Sequence, residues 1–163
     1  MDFDLEVDTQ ESFYDSYVQT ADVVGSPYDP SRAANVFHCT EVDAPAGDAP
    51  HLVVKVFKAV REMRELERKR AEREVELLYA LAGNVAHNYM VEVEAAFIDA
   101  GVLRLVMPLY PQTALALAQS WQTAGGYTDV ELKQLATCCL RGLDFLHTCG
   151  ITHRDVKYAA QKA

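Results

Sequence analysis

Apolar positions fall into two regimes along this chain. Over the first hundred residues they come in short β-branched or alternating runs separated by turn-forming clusters. Beyond that they recur at helical spacing. Residues 16–24 (SYVQTADVV) and 34–42 (ANVFHCTEV) read as strands, joined by the turn-rich Gly25-Ser26-Pro27-Tyr28-Asp29-Pro30-Ser31. A loop at 43–50 (DAPAGDAP) leads into a third strand at 51–58 (HLVVKVFK), rich in residues that favour a pleated surface. Residues 60–82 change character: six acids and six bases lie in 61–76, followed by Leu77, Leu78 and Leu81. The period predicts a helix with charge on one side and i,i+4 pairs such as Glu65–Lys69 and Arg68–Glu72. Arg70 and Arg73 interrupt the apolar heptads a coiled coil would need. Gly83-Asn84 should end that helix.

Two further strands are predicted at 91–98 (VEVEAAFI) and 102–107 (VLRLVM), with Asp99-Ala100-Gly101 as a hairpin turn. Pro108 and Pro111 bracket a linker, a short helix should cover 113–121, and Gly125-Gly126 breaks the chain. Thr128 then caps a long helix from Asp129 to about His147, with Leu132, Leu135, Cys139, Leu140, Leu143 and Leu146 on one face. Strands, a charged helix, more strands and a helical second part make an α+β chain without internal repeats.

Charge and cysteine content narrow the function classes. The net charge is -9, and residues 1–31 carry eight of the 24 acids and no Lys or Arg, so the remainder is close to neutral. An acidic leader on a neutral body argues against nucleic acid or an anionic membrane as partner, and a solvated leader is the expectation. No apolar run approaches a membrane span, and the acidic start is not a signal peptide, so a cytoplasmic protein is expected. Cys39, Cys138, Cys139 and Cys149 form no C-x-x-C pair, which makes a zinc site or a disulfide framework improbable. Cys138 and Cys139 should be buried small hydrophobes on the long helix.

Chemistry enters through three motifs in order. His153-Arg154-Asp155-Val156-Lys157, preceded by Leu146-His147-Thr148-Cys149-Gly150-Ile151, resembles the catalytic loop of eukaryotic protein kinases and the helix that leads into it. Leu52-Val53-Val54-Lys55 resembles the strand that carries the nucleotide-binding lysine. Glu74 matches the helix glutamate that pairs with that lysine, with Glu76 as a competing register. Lys55 to Glu74 spans 19 residues and Glu74 to Asp155 spans 81, which leaves room for the predicted elements in the kinase order. Each motif alone is weak; their order on the right elements is specific.

The resemblance implies an antiparallel small lobe with one helix, followed by the first helices of an incomplete large lobe. Residues 1–15 would be an acidic tail, 16–110 the small lobe and hinge, and 111–163 the start of the large lobe. It also implies ATP-dependent phosphoryl transfer to protein Ser or Thr. Lys55 would hold the α- and β-phosphates, Glu74 would fix its ammonium, Asp155 would orient the substrate hydroxyl, and Lys157 would neutralise the transferring group. Val36 and Val53 would cover adenine, Met107 would be the gatekeeper, and the Pro108 carbonyl and Tyr110 N–H would be the hinge contacts. The partner would be a protein substrate or a partner kinase.

Two departures matter. With Val36 as the last residue of G-x-G-x-x-G-x-V, Ala34, Ser31 and Asp29 stand where glycines belong. Ala160 stands where a metal-binding asparagine is expected, and no Asp-Phe-Gly or Ala-Pro-Glu occurs. The magnesium ligands of the family are therefore absent, weak nucleotide binding is expected, and the chain reads as truncated after the catalytic loop. A pseudokinase-like nucleotide- or partner-binding module is the alternative. The helix at 129–147 should also present an uncovered apolar face.

Overall fold

The computed structural model describes residues 12–24, 28–45, 51–82, 89–154 and 156. They divide into two units, Met1–Ala86 with Val91–Leu109, and His87–Met90 with Tyr110–Ala163. In the first unit five strands form one antiparallel sheet in the order β1-β2-β3-β5-β4: β1 Tyr17–Val23, β2 Ala34–Glu41, β3 Leu52–Ala59, β4 Ala95–Asp99 and β5 Val102–Pro108. The β4–β5 hairpin turns on Ala100 and Gly101, both at positive φ (48° and 75°), the geometry of a two-residue primed turn. Asp99 and Val102 close it. The strand expected at 91–98 is shorter and starts at Ala95; Glu94 adds one backbone bond to Val106.

Alternation gives the sheet two different faces. One face meets helix α2 (Glu65–Ala82): Phe57, Leu103, Leu105 and Ala96 pack with Ala71 and Val75 of the helix. The helix does not begin at residue 60 as its charge pattern predicts. Val60–Glu62 form a 3-10 turn, tied by the Val60 N–H to the Gly101 carbonyl, and Met63 packs on the core before the α-helix starts. The Glu67 carboxylate accepts the Arg64 backbone N–H and satisfies a donor in the first turn. Arg68 bridges Glu65 and Glu72, so much of the helix charge is self-compensated on its exposed side.

The other face carries Leu52, Val54, Phe97, Val106 and Cys39, and its lid is Phe13. Here residues 12–16 depart from the expectation of a solvated leader; residues 1–11 lie outside the described residues. Residues Phe13–Ser16 form a one-turn helix, α1, closed by a Ser12–Asp15 capping box, and Phe13 is 0% exposed. Its ring meets Phe97 edge-on at 5.7 Å and stacks on Tyr17 at 5.6 Å. A single helical turn has no stability of its own. Burying one aromatic side chain is worth about 1.5–3 kcal/mol, and that contact orders the segment. The acidic count of the leader concealed an apolar anchor at Phe13. Burial raises the Cys39 thiol to about 11, which makes it an inert packing group.

The second unit holds α3 (Ala114–Thr123, capped by Thr113) and α4 (Asp129–Thr148). Tyr89 crosses α4: its hydroxyl accepts from Arg141 at 2.6 Å, and its carbonyl oxygen lies 3.0 Å from where a Cβ on Gly142 would sit. Only Gly142 and Leu146 of α4 are buried, while Leu132 and Leu140 are exposed. Cys138 and Cys139 are exposed as well, a correction to their expected burial. Helical period places them correctly in the helix, but the packed side of α4 is the one through Gly142 and Leu146. The helix ends in a Schellman motif. Gly150, at φ 72°, donates to the His147 carbonyl, and Ile151 donates to Leu146.

The start of α4 supports a stability prediction. Thr128 and Glu131 form a capping box, and hydrogen bonds from the Thr128 backbone and then its hydroxyl lower the Glu131 pKa below its ordinary value. A carboxyl whose folded pKa is depressed stabilises the fold above its unfolded pKa, and that contribution is lost as pH falls through the folded value. Helicity of α4, followed by hydrogen exchange at its first turn, should therefore weaken as pH falls below the usual glutamate range. Thr128→Ala should cost about 1 kcal/mol at neutral pH but keep the backbone bond to Glu131, whereas Glu131→Gln, which cannot titrate, should remove this acid dependence. An unchanged acid profile in Glu131→Gln would count against the box.

Candidate functional site

Strand pairing fixes which side chains share the α2-facing side of the sheet. Val36 is paired with Lys55 and Lys55 with Leu105; Val53 is paired with Met107. Facing partners in an antiparallel sheet project to the same side, so Val36, Lys55, Val53 and Met107 lie on one face. Lys55 reaches Glu74 of α2, and its Nζ donates to Glu74 Oε1 in an ion pair. Glu76, the competing register, pairs instead with Arg73 at 3.5 Å. The pair is partly open to solvent on both sides, with Lys55 the more covered. Lys55 Nζ also lies 4.9 Å from the Phe57 ring centroid, a contact the motif search missed. Two-residue periodicity from Lys55 was the signal available for it.

Pro108 closes β5 opposite Leu52, and the next residue, Leu109, donates its N–H to the His51 carbonyl at 2.7 Å. Tyr110 belongs to the second unit and is half-exposed. Asp155 and Lys157 lie outside the described residues, as do Ala160 and the Gly25-Ser26-Pro27 turn. Just before them Arg154 adopts φ 60°, a left-handed backbone that costs a non-glycine residue about 1–2 kcal/mol.

The segment leading into β2 is built on Asp29. Its carboxylate accepts the Ser31 N–H at 2.8 Å and the Ser31 hydroxyl at 2.6 Å, and lies 3.5 Å from Arg32. Asn35 clasps the Asp29 backbone, and Lys58 donates to the Ser31 carbonyl. The Ser31 bonds hold the Asp29 carboxyl below the usual range. A backbone N–H of the kind that could cradle a phosphate is thus taken by the loop's own anion.

Against known proteins, the model of the protein kinase domain family matches residues 33–159. The chain belongs to the protein kinase family. CDPK-related kinase 4 of Arabidopsis thaliana is 31% identical over 106 residues, covering 65% of this chain and 17% of the relative. The chain thus spans about a sixth of the length of that kinase. The five-stranded antiparallel sheet with α2 is the kinase small lobe, and α3 and α4 are part of the large lobe.

The family uses ATP and magnesium. An ammonium held by a carboxylate on a sheet face that also carries Val36, Val53 and Met107 fits a nucleotide in chemistry: one cation for phosphate beside apolar surface for a base. Among the described residues no three His, Cys, Asp or Glu side chains group as metal ligands. Among the same residues no helix is long and apolar enough to cross a membrane.

Proposed function

We propose that this chain supplies the nucleotide-binding small lobe and the first part of the catalytic loop of a cytoplasmic kinase that transfers the γ-phosphoryl group of ATP to Ser or Thr of protein substrates. The observation that carries this reading is the Lys55–Glu74 ion pair, formed between a strand and a helix that nothing else requires to exchange charge. Lys55 holds the α- and β-phosphate oxygens, and Glu74 keeps its ammonium aimed. Val36 and Val53 cover adenine, Met107 bounds its inner edge, and the Pro108 carbonyl and Tyr110 N–H meet its polar edge. Asp155 orients the substrate hydroxyl and takes its proton, while Lys157 balances charge on the moving phosphoryl group.

The 163-residue polypeptide is expected to bind nucleotide without transferring phosphate, because Ala160 stands where the family has its metal-binding asparagine. One observation favours a second reading, a pseudokinase-like module that binds nucleotide or docks on a partner kinase. Asp29 occupies a position where a glycine would leave the loop backbone free for phosphate.

Calorimetric titration tests both. ATP and ADP should bind weakly, with nearly equal affinity and little effect of magnesium. Lys55→Met should weaken both about fivefold, the worth of one partly solvated charged contact of about 1 kcal/mol. Tight binding that rises steeply with magnesium, or no effect of Lys55→Met, would overturn the assignment of this face.

A further inference from the structure

Arg104 of β5 lies on the sheet face opposite Lys55 and is only 8% exposed. Its Nη1 donates to Asp99 Oδ2 at 3.3 Å and to the Val102 carbonyl at 3.4 Å. Its Nη2 donates to the Tyr14 hydroxyl at 3.3 Å. The guanidinium carbon sits 5.5 Å from the Phe13 ring centroid and 5.2 Å from that of Tyr14. Its Nε is buried and has no hydrogen-bond partner. Asp99 in turn accepts the Phe13 backbone N–H at 2.9 Å. Packing and the Asp99 pair account for the charge of Arg104 and for Nη1. They leave Nε without a partner and Nη2 with the Tyr14 hydroxyl alone, on the side of the fork that meets Tyr14. Tyr14 itself is 58% exposed.

We propose that Tyr14 is a phosphotyrosine site and that Arg104 is its built-in phosphate receptor, locking residues 12–16 over the second face of the small lobe. The phosphoryl donor is a nucleoside triphosphate acting through a separate tyrosine-directed kinase. The Tyr14 oxygen forms a bond to the γ-phosphorus, the bond from that phosphorus to the β,γ-bridging oxygen breaks, and the diphosphate leaves. The phenolic proton passes to the base of the modifying enzyme. Phosphate oxygens on Tyr14 take the Nε–Nη2 edge of the guanidinium, which suits a two-pronged contact, while Nη1 keeps Asp99. Asp99 and Asp15 repel the new charge, but the guanidinium already bonds Asp99 and the phenol oxygen on different nitrogens. The site is independent of the nucleotide-binding face.

The test uses the full 163-residue chain, with and without phosphotyrosine encoded at position 14. Phosphorus NMR should place the second ionisation of the phosphate at lower pH in the folded chain than in concentrated urea. Exchange of the Phe13 amide should slow about tenfold on phosphorylation, the effect of one added charge-assisted contact. Arg104→Met should abolish both effects. If that variant does not fold, Arg104→Lys, which keeps the charge and loses the fork, should reduce the ionisation shift. A tyrosine-directed kinase acting on the unmodified chain should label Tyr14. Equal ionisation midpoints in folded and unfolded chains, faster Phe13 exchange, or labelling of other tyrosines with Tyr14 untouched would each overturn the proposal.

Discussion

Phe13→Ala should destabilise the small lobe by about 3–5 kcal/mol, out of proportion to its place in an acidic leader. The side chain is completely buried and closes the face formed by Leu52, Val54, Phe97, Val106 and Cys39. Truncation removes the transfer term of the ring and three aromatic contacts, and it leaves a cavity that β-sheet backbone cannot collapse to fill. It also frees α1, so the Phe13 N–H bond to Asp99 is lost and Arg104 keeps fewer neighbours. Urea unfolding checks this, with Phe13→Leu expected to lose much less. A cost below about 1 kcal/mol would show that the segment rests on the sheet without supporting it.

The second large effect is expected at Val75. This residue is 1% exposed, follows Glu74 directly and faces Leu105 and Phe57 through the core under α2. Val75→Asp places a carboxyl in an apolar site with no partner, at a cost of about 4 kcal/mol or more at neutral pH. Val75→Thr nearly preserves shape and should cost about 1–3 kcal/mol for its hydroxyl. The two differ in pH dependence. An unpaired buried aspartate has a raised folded pKa, so its charge penalty grows as pH rises above the unfolded value and fades in acid. Urea midpoints for Val75→Asp should therefore approach those of Val75→Thr below about pH 4. Because Glu74 rides on the same turn, nucleotide binding should fall in Val75→Asp even where the sheet stays folded. Binding unchanged in a chain with α2 displaced would separate the Lys55 face from Glu74.

Much of this architecture is legible from local pattern. Period-two runs place all five strands, helical spacing and Thr128 place α4, and the Asp99-Ala100-Gly101 signal places the hairpin. The ordered motifs around Lys55, Glu74 and His153 single out the kinase family, and the family match over residues 33–159 agrees. These features depend on neighbours a few residues apart, where backbone sterics and side-chain period decide the outcome.

Tertiary structure decided what depends on residues far apart in sequence. Glu74 and Glu76 are two residues apart on a helix and so point about 200° apart; only the packing of Ala71 and Val75 on Leu105 turns Glu74 to Lys55 and leaves Glu76 to Arg73. The packed side of α4 was chosen by Tyr89 against Gly142, which left Cys138 and Cys139 outside. Phe13 reads as one apolar residue among acids until the β4–β5 hairpin presents Phe97 and Asp99, 86 residues from Phe13 in the case of Asp99. Burial is a property of the assembled surface, and no local period encodes which distant strand will supply it.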